Sequence, residues 1–328
     1  MAHVLGAVRR LMLAPPLEEV TFARRGFSVT ASAHTRALEA IPQAVICGFE
    51  WGMDTRTQWQ LQRRLDLVDA EHRGFAYEGA TMALTILDAM AAGRGHRARD
   101  LLAGPGRPHT FLTYIGVGFA MARLPRPLWR KVLPDLSGVP YYPTMSWLAV
   151  DGYGFDRAYF RTDRWVAEQE RPRPYPWLGD RDYFARAFDQ GVGRALWFVH
   201  GGDAIGLAAT IGGFAHARRA DLWSGAGLAA TFAGGTDRAG YAMLRSLASS
   251  YRGDVAQGAV FAARARTHAG FVPEHTETAI HILAGLSAAG ATDLADASAV
   301  PESASGTLPA YEQWRRRIRA AVPGLDRV

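Results

Sequence analysis

A short pattern occurs three times in the sequence: a polar residue and then a glycine open an apolar run. The three copies occupy residues 78–84, 190–196 and 257–263 and begin with Glu78, Gln190 and Gln257. A second pattern occurs twice, at residues 115–123 and 211–218: an apolar run contains glycine followed by phenylalanine and ends in arginine. Because glycine lets neighbouring helices approach closely, these patterns predict a mainly α protein of duplicated Gly-rich helical units enclosing an apolar cavity. The alternative is chance similarity in a chain rich in alanine, glycine and arginine.

The 328 residues suffice for one large domain or two ordinary ones, and 48% hydrophobic with 21% charged residues is typical of a globular protein. Apolar residues at three- and four-residue spacing predict helices at 34–49, 57–70, 74–92, 109–124, 183–200, 203–218, 221–232, 237–250, 254–269, 274–289 and 308–321. Asp221 and Asp237 are predicted N-caps, and residues 291–308 a polar loop. We expect a single large helical domain over residues 1–328, with a possible internal division at the proline-rich connection 161–182.

The formal charge of +6 comes almost entirely from arginine, because Lys131 is the only lysine. The arginines are dispersed, and their densest group, residues 315–319, is predicted to be an exposed helix tail. Nucleic-acid binding needs a basic stripe and usually a recognisable module, so we expect no nucleic-acid partner.

A single cysteine, Cys47 in an apolar run, excludes an intramolecular disulfide and favours a reducing, cytoplasmic location. Residues 1–13 lack the long apolar region of a secretory signal. The apolar stretch 193–217 contains His200, Asp203 and two glycine pairs, so it predicts two buried helices and no membrane span.

Several familiar chemistries are excluded because their motifs are missing from the sequence. There is no phosphate-binding Gly-rich loop, dinucleotide fingerprint, nucleophile elbow, zinc-protease helix or aspartate-rich diphosphate site. No motif requires a cofactor, and no nucleotide is expected.

Polar residues in apolar, glycine-rich surroundings are the candidates for acid–base chemistry, since burial shifts the pKa of such groups. The candidate catalytic residues are Asp151, Asp156, His200, His216 and Asp221. Helix caps, Asp–Arg pairs and structural histidines explain the same residues. The predicted cavity is expected to be lined by Glu78, Tyr153, Gln190, Trp197, Trp223 and Gln257, although buried aromatics are core residues by default.

Glu277 and His281 are four residues apart on one predicted helix face and are candidate metal ligands. A non-haem iron or zinc site needs a further ligand from elsewhere in the chain. An acid-rich first helical turn, favoured by the helix dipole, explains these residues without a metal.

Six motifs carry a resemblance over almost the whole chain: residues 17–27, 118–123, 151–155, 193–199, 221–225 and 275–277. Together they resemble an actinobacterial family catalogued as domain of unknown function 1702, whose members accompany the polyketide synthase of enediyne antibiotic clusters. The resemblance implies a role in converting a polyketide-derived polyene toward an enediyne core, or in handling that intermediate. It supplies no catalytic residues.

The leading hypothesis is an accessory enzyme that acts on an apolar polyene in a helical cavity by acid–base chemistry, with other pathway enzymes as possible partners. A non-catalytic carrier or scaffold that docks through residues 315–319 is the second hypothesis. A cyclase that protonates an isoprenoid is the third.

Overall fold

The computed structural model describes residues 17–91, 95–301 and 307–323. Regular secondary structure in these ranges is helical, without a β-strand, which confirms the mainly α prediction. Residues 1–13, where no secretory signal is predicted, lie outside the described residues. No helix within the described ranges is long and apolar enough to cross a membrane.

Fifteen α-helices are labelled within the described ranges. The first seven are α1 (Phe22–Arg25), α2 (Ala33–Asp54), α3 (Gln58–Leu65), α4 (Ala70–Met90), α5 (Arg97–Ala103), α6 (Thr110–Arg123) and α7 (Trp147–Phe160). The other eight are α8 (Phe184–Val199), α9 (Ala204–Gly213), α10 (His216–Ala233), α11 (Arg238–Leu247), α12 (Arg252–His268), α13 (Glu274–Ala284), α14 (Ala288–Ala297) and α15 (Ala310–Ala321).

The chain divides into two compact units, with one boundary between α1 and α2, one inside α2 and one inside α7. Unit 1 contains the described residues up to Gly26 together with Glu39–Tyr153. Unit 2 contains Phe27–Leu38 and the described residues from Gly154 onward. The single domain over residues 1–328 stays a prediction.

Glycines at helix crossings build unit 1. A methyl group on Gly48 of α2 or on Gly79 of α4 would overlap the backbone carbonyl three residues before the other glycine. Gly118 of α6 and Gly152 of α7 are related in the same reciprocal way. The backbones of these helices are therefore in direct contact, a separation that no residue larger than glycine permits.

The same reciprocal contact recurs in unit 2. Gly193 of α8 pairs with Gly225 of α10, and Gly227 of α10 pairs with Gly258 of α12. Helix α10 thus carries one glycine for each neighbour, spaced by two residues. These crossings hold α8, α10 and α12 side by side and fix which residues of the three helices face one another.

Three sequence predictions of local structure are wrong. Asp221 is not an N-cap, because α10 begins at His216 and places Asp221 in its interior. Residues 203–218 do not form one helix, since α9 ends at Gly213. Residues 288–297 form α14, although they fall mainly in the predicted polar loop. Asp237 is confirmed as an N-cap, and its side chain accepts a hydrogen bond from the Gly240 amide.

Candidate functional site

Four helices of unit 2 and the residue before α8 direct polar side chains to one buried place. The polar cluster, as we call it, contains Tyr183, Arg186, Gln190, Asp221, Ser224, Gln257, Tyr311, Glu312 and Arg315. Ser224 and Gln257 directly precede the crossing glycines of α10 and α12, and the Gln190 carbonyl of α8 lies against Gly225. The close glycine crossings therefore bring these polar residues together.

Arg315 of α15 lies at the centre of the polar cluster and is only 1% exposed. Its Nη1 donates to Asp221 Oδ1 at 2.8 Å, to Glu312 Oε2 at 2.6 Å and to the Tyr183 hydroxyl at 3.0 Å. Its Nε donates to Gln257 Oε1 at 3.0 Å. The prediction that residues 315–319 form an exposed tail is therefore wrong for Arg315, because α15 packs this face against the other helices.

Glu312 accepts hydrogen bonds from four arginines, although its own side chain is fully buried. Three of these bonds reach Oε1: from Arg186 at 3.1 Å, Arg316 at 3.3 Å and Arg319 at 3.0 Å. Burial alone would raise the pKa of Glu312, but the guanidinium groups, led by Arg315, outweigh it and lower the pKa to about 2.

Asp221 is the one predicted catalytic residue that belongs to the polar cluster. Arg186 binds it bidentately, with Nε 2.8 Å from Oδ2 and Nη2 3.3 Å from Oδ1. Arg315 and the Gln190 amide also donate to Oδ1. A carboxylate held in this way neutralises buried guanidinium groups and is fully occupied by them.

Gln190 and Gln257, predicted to line a cavity, are hydrogen-bonded within the polar cluster. The Gln190 amide donates to the Tyr183 hydroxyl at 3.1 Å, and its oxygen accepts from Tyr311 at 3.1 Å. The oxygen of Gln257 accepts from Ser224 at 2.8 Å. Both side chains connect neighbouring helices across the glycine crossings.

Asp254, at the start of α12, belongs to the edge of the polar cluster. Burial raises its pKa to about 6, despite the opposing charges of Arg319 and Arg315. Arg319 Nη1 lies 3.5 Å from Asp254 Oδ1. Asp254 is therefore a carboxyl group that changes charge near neutral pH.

An open pocket of about 440 Å³ lies on one side of the polar cluster. Its walls are residues 179–183, Arg186, Thr307 and Leu308. The Arg186 side chain is 35% exposed, whereas its carboxylate partners are almost completely buried. Arg186 thus connects the buried charges to the pocket and to solvent.

The glycine crossings, the polar cluster and the pocket all lie in the part of the chain that one family model matches. The model is described as a protein of unknown function (DUF1702) and matches residues 4–322. The chain belongs to this family. No match was found among curated proteins or among solved structures. The DUF1702 match supports the family named by the resemblance and leaves its activity to be proposed.

The two candidate histidines of this DUF1702 chain lie outside the polar cluster. His200, at the C-terminal end of α8, places Nε2 2.9 Å from the Thr210 hydroxyl. Burial lowers its pKa, although Asp203 acts in the opposite direction. His216 is exposed at the start of α10, with its ring 6.2 Å from that of Tyr251.

The remaining candidates divide between the two units. Asp151, Glu78 and Tyr153 are buried in unit 1, where the Tyr153 ring packs edge-on against Trp129. Asp156, Trp197 and Trp223 are buried in unit 2, where Trp197 Nε1 donates to the Gly234 carbonyl. Asp151 and Asp156 lie inside α7, a helix that the sequence patterns missed.

The two predicted metal ligands, Glu277 and His281, differ in their surroundings. Glu277 Oε2 accepts from the Ala288 amide at 3.0 Å and so stabilises the start of α14, while His281 is exposed. Within the described part of the chain, no group of three or more histidine, cysteine, aspartate or glutamate residues is arranged to hold a metal ion.

The site residues that sequence reasoning missed are Tyr183, Arg186, Ser224, Asp254, Tyr311, Glu312 and Arg315. One signal was available for two of them. Glu312 and Arg315 are three residues apart, beside Tyr311 and Trp314, so they share the apolar face of an amphipathic helix. Charged residues on such a face indicate a buried ion pair.

Proposed function

We propose that this DUF1702 protein is an accessory enzyme of polyketide natural-product biosynthesis, of the enediyne type, that acts on a polyene intermediate by acid–base chemistry. The observation that carries the proposal is the ordered set of family-like motifs over almost the whole chain. The family match over residues 4–322 supports it. That the polyene is held in an apolar cavity between the helices is part of the same proposal.

The polar cluster and its pocket are our proposed location of the chemistry. Pockets of a few hundred Å³ with convergent polar groups are typical of small-molecule sites. Asp254, at the edge of the polar cluster, has a pKa of about 6, which suits proton transfer near neutral pH. The fully ion-paired Asp221 and Glu312 act by fixing the guanidinium groups.

A non-catalytic carrier is the second candidate, and one observation favours it. Asp221 and Glu312 are the two most buried carboxylates beside the pocket, and arginines bind both of them. Neither has a lone pair directed at a ligand without competition from a guanidinium group. A protein that only shields a reactive polyene needs no such base.

The decisive experiment is the metabolite profile of the producing host after deletion of this gene, beside a strain complemented with the wild-type gene. We expect one new, less-modified intermediate, whose mass difference from the product identifies the reaction class. A fall in all pathway products without a new species would contradict the enzyme and support the carrier. An unchanged profile would reject both.

A further inference from the structure

The pocket of unit 2 contains one preorganised hydrogen-bond donor that the fold does not use. Arg186 employs Nε and Nη2 for Asp221 and Glu312, whereas Nη1 makes no hydrogen bond to any described residue. The guanidinium plane also lies against the Tyr183 ring, with Arg186 Cζ 5.1 Å from the ring centroid. Two carboxylates and an aromatic ring therefore hold Arg186, which lines the pocket, and leave its Nη1 without a hydrogen bond to the described residues.

The charges around Arg186 favour an electron-rich partner at Nη1. Asp221 and Glu312 are surrounded by four guanidinium groups, those of Arg186, Arg315, Arg316 and Arg319. Asp254 adds one negative charge only above its pKa of about 6. The two carboxylates meet Arg186 only through Nε and Nη2, so Nη1 is the part of this guanidinium group without a carboxylate partner among the described residues.

The carboxylates of the pocket wall compete only weakly for Nη1. Asp180 Oδ1 accepts the amides of Asp182 and Tyr183, each at 2.9 Å, and so organises the turn before α8. Asp182 is exposed to solvent, which screens its charge. Leu308 supplies apolar surface to the wall of the same pocket.

We propose that this pocket binds the oxygen end of an acyl chain, with Nη1 of Arg186 donating to a carboxylate or carbonyl oxygen. A rigid guanidinium group suits this ligand because its donor is fixed before binding and costs little ordering entropy. The choice of a polyene chain as ligand rests on the proposed function; the recognition of the oxygen rests on the pocket alone.

The test is binding of parinaric acid, a fluorescent conjugated polyene fatty acid, and of its methyl ester to the full-length protein. We expect Arg186→Gln to weaken binding by roughly tenfold, the loss typical of one charge-assisted hydrogen bond. A preference of the wild type for the acid assigns a carboxylate ligand. Equal binding of acid and ester, weakened together by Arg186→Gln, assigns a carbonyl oxygen.

Arg316→Gln is the matched control. Arg316 donates to the same Glu312 oxygen, but its side chain is 58% exposed and does not line the pocket. We expect this variant to bind both probes as the wild type does. Equal weakening by Arg316→Gln and Arg186→Gln would overturn the proposal, because the effect would then belong to the polar cluster as a whole.

If Arg186→Gln does not fold, Leu308→Glu tests the pocket, because this substitution leaves the buried ion pairs intact. It adds a carboxylate to the wall beside Arg186, and we expect it to weaken the acid more than the ester. Wild-type affinity in this variant, or no binding of either probe to the wild type, would overturn the proposal. The gene-deletion profile does not depend on these binding measurements. If the deletion strain accumulates a new intermediate but neither probe binds, only the pocket assignment is rejected and the proposed function stands.

Discussion

Glu312 and Glu170 each place a carboxylate oxygen 2.6 Å from an arginine nitrogen, but the two ion pairs differ in burial. Glu312 is fully buried beside Arg315, whereas Glu170 and its partner Arg164 are 37% and 47% exposed. Removing one member of a buried pair leaves uncompensated charge in a low-dielectric interior. We therefore expect Glu312→Gln to lower the free energy of unfolding by about 3 kcal/mol in urea titrations.

Glu170→Gln is the control at the same distance, and we expect it to cost less than about 1 kcal/mol because water screens an exposed pair. Similar losses in the two variants would show that burial does not determine the strength of the Glu312 interactions. At this scale the sequence was a poor guide to Arg315. Its partners Asp221 and Gln257 are 94 and 58 residues away, so its burial follows from packing and not from its arginine-rich neighbourhood.

At the scale of helices, the glycine crossings make a specific prediction. A methyl group on Gly225 of α10 would overlap the carbonyl oxygen of Gln190 on α8, and neither backbone can move alone. We expect Gly225→Ala to destabilise the protein by about 3 kcal/mol, measured by urea unfolding. Gly212→Ala in α9 is the control, because a methyl group there meets nothing within 4 Å.

We expect Gly212→Ala to raise the free energy of unfolding by roughly 0.5–1 kcal/mol, since alanine reduces the conformational freedom of the unfolded chain. Destabilisation by both variants would indicate a general intolerance of these helices to alanine. Apolar residues at three- and four-residue spacing predicted helices over most of α4, α8 and α12 from sequence. Helix α7 was missed since its glycines and aromatics resemble a turn until the neighbouring backbones are known.

At the scale of the whole molecule, Glu312 and Asp254 make the free energy of unfolding depend on pH in opposite directions. Glu312 has a pKa lowered to about 2, so its contribution is present above about pH 4.5 and is lost as pH falls toward 2. Asp254 has a pKa raised from 3.8 to about 6, so its contribution is present below pH 3.8 and is lost as pH rises through 6. These two groups together favour the folded state most between about pH 4 and 5.

Asp254→Asn isolates the second effect. Between pH 4 and 7 we expect the stability of this variant to rise relative to the wild type, by up to about 2 kcal/mol, with the change centred between pH 4 and 6. His200, whose lowered pKa also makes stability depend on pH, is present in both proteins, so its effect cancels in the difference. The measurement is urea unfolding of both proteins across this range, and a constant difference would exclude the raised pKa.

A carboxyl group that costs stability at neutral pH is typical of a functional position. Complementation of the deletion strain with Asp254→Asn should therefore leave the intermediate accumulating, whereas normal product would exclude Asp254 from the chemistry.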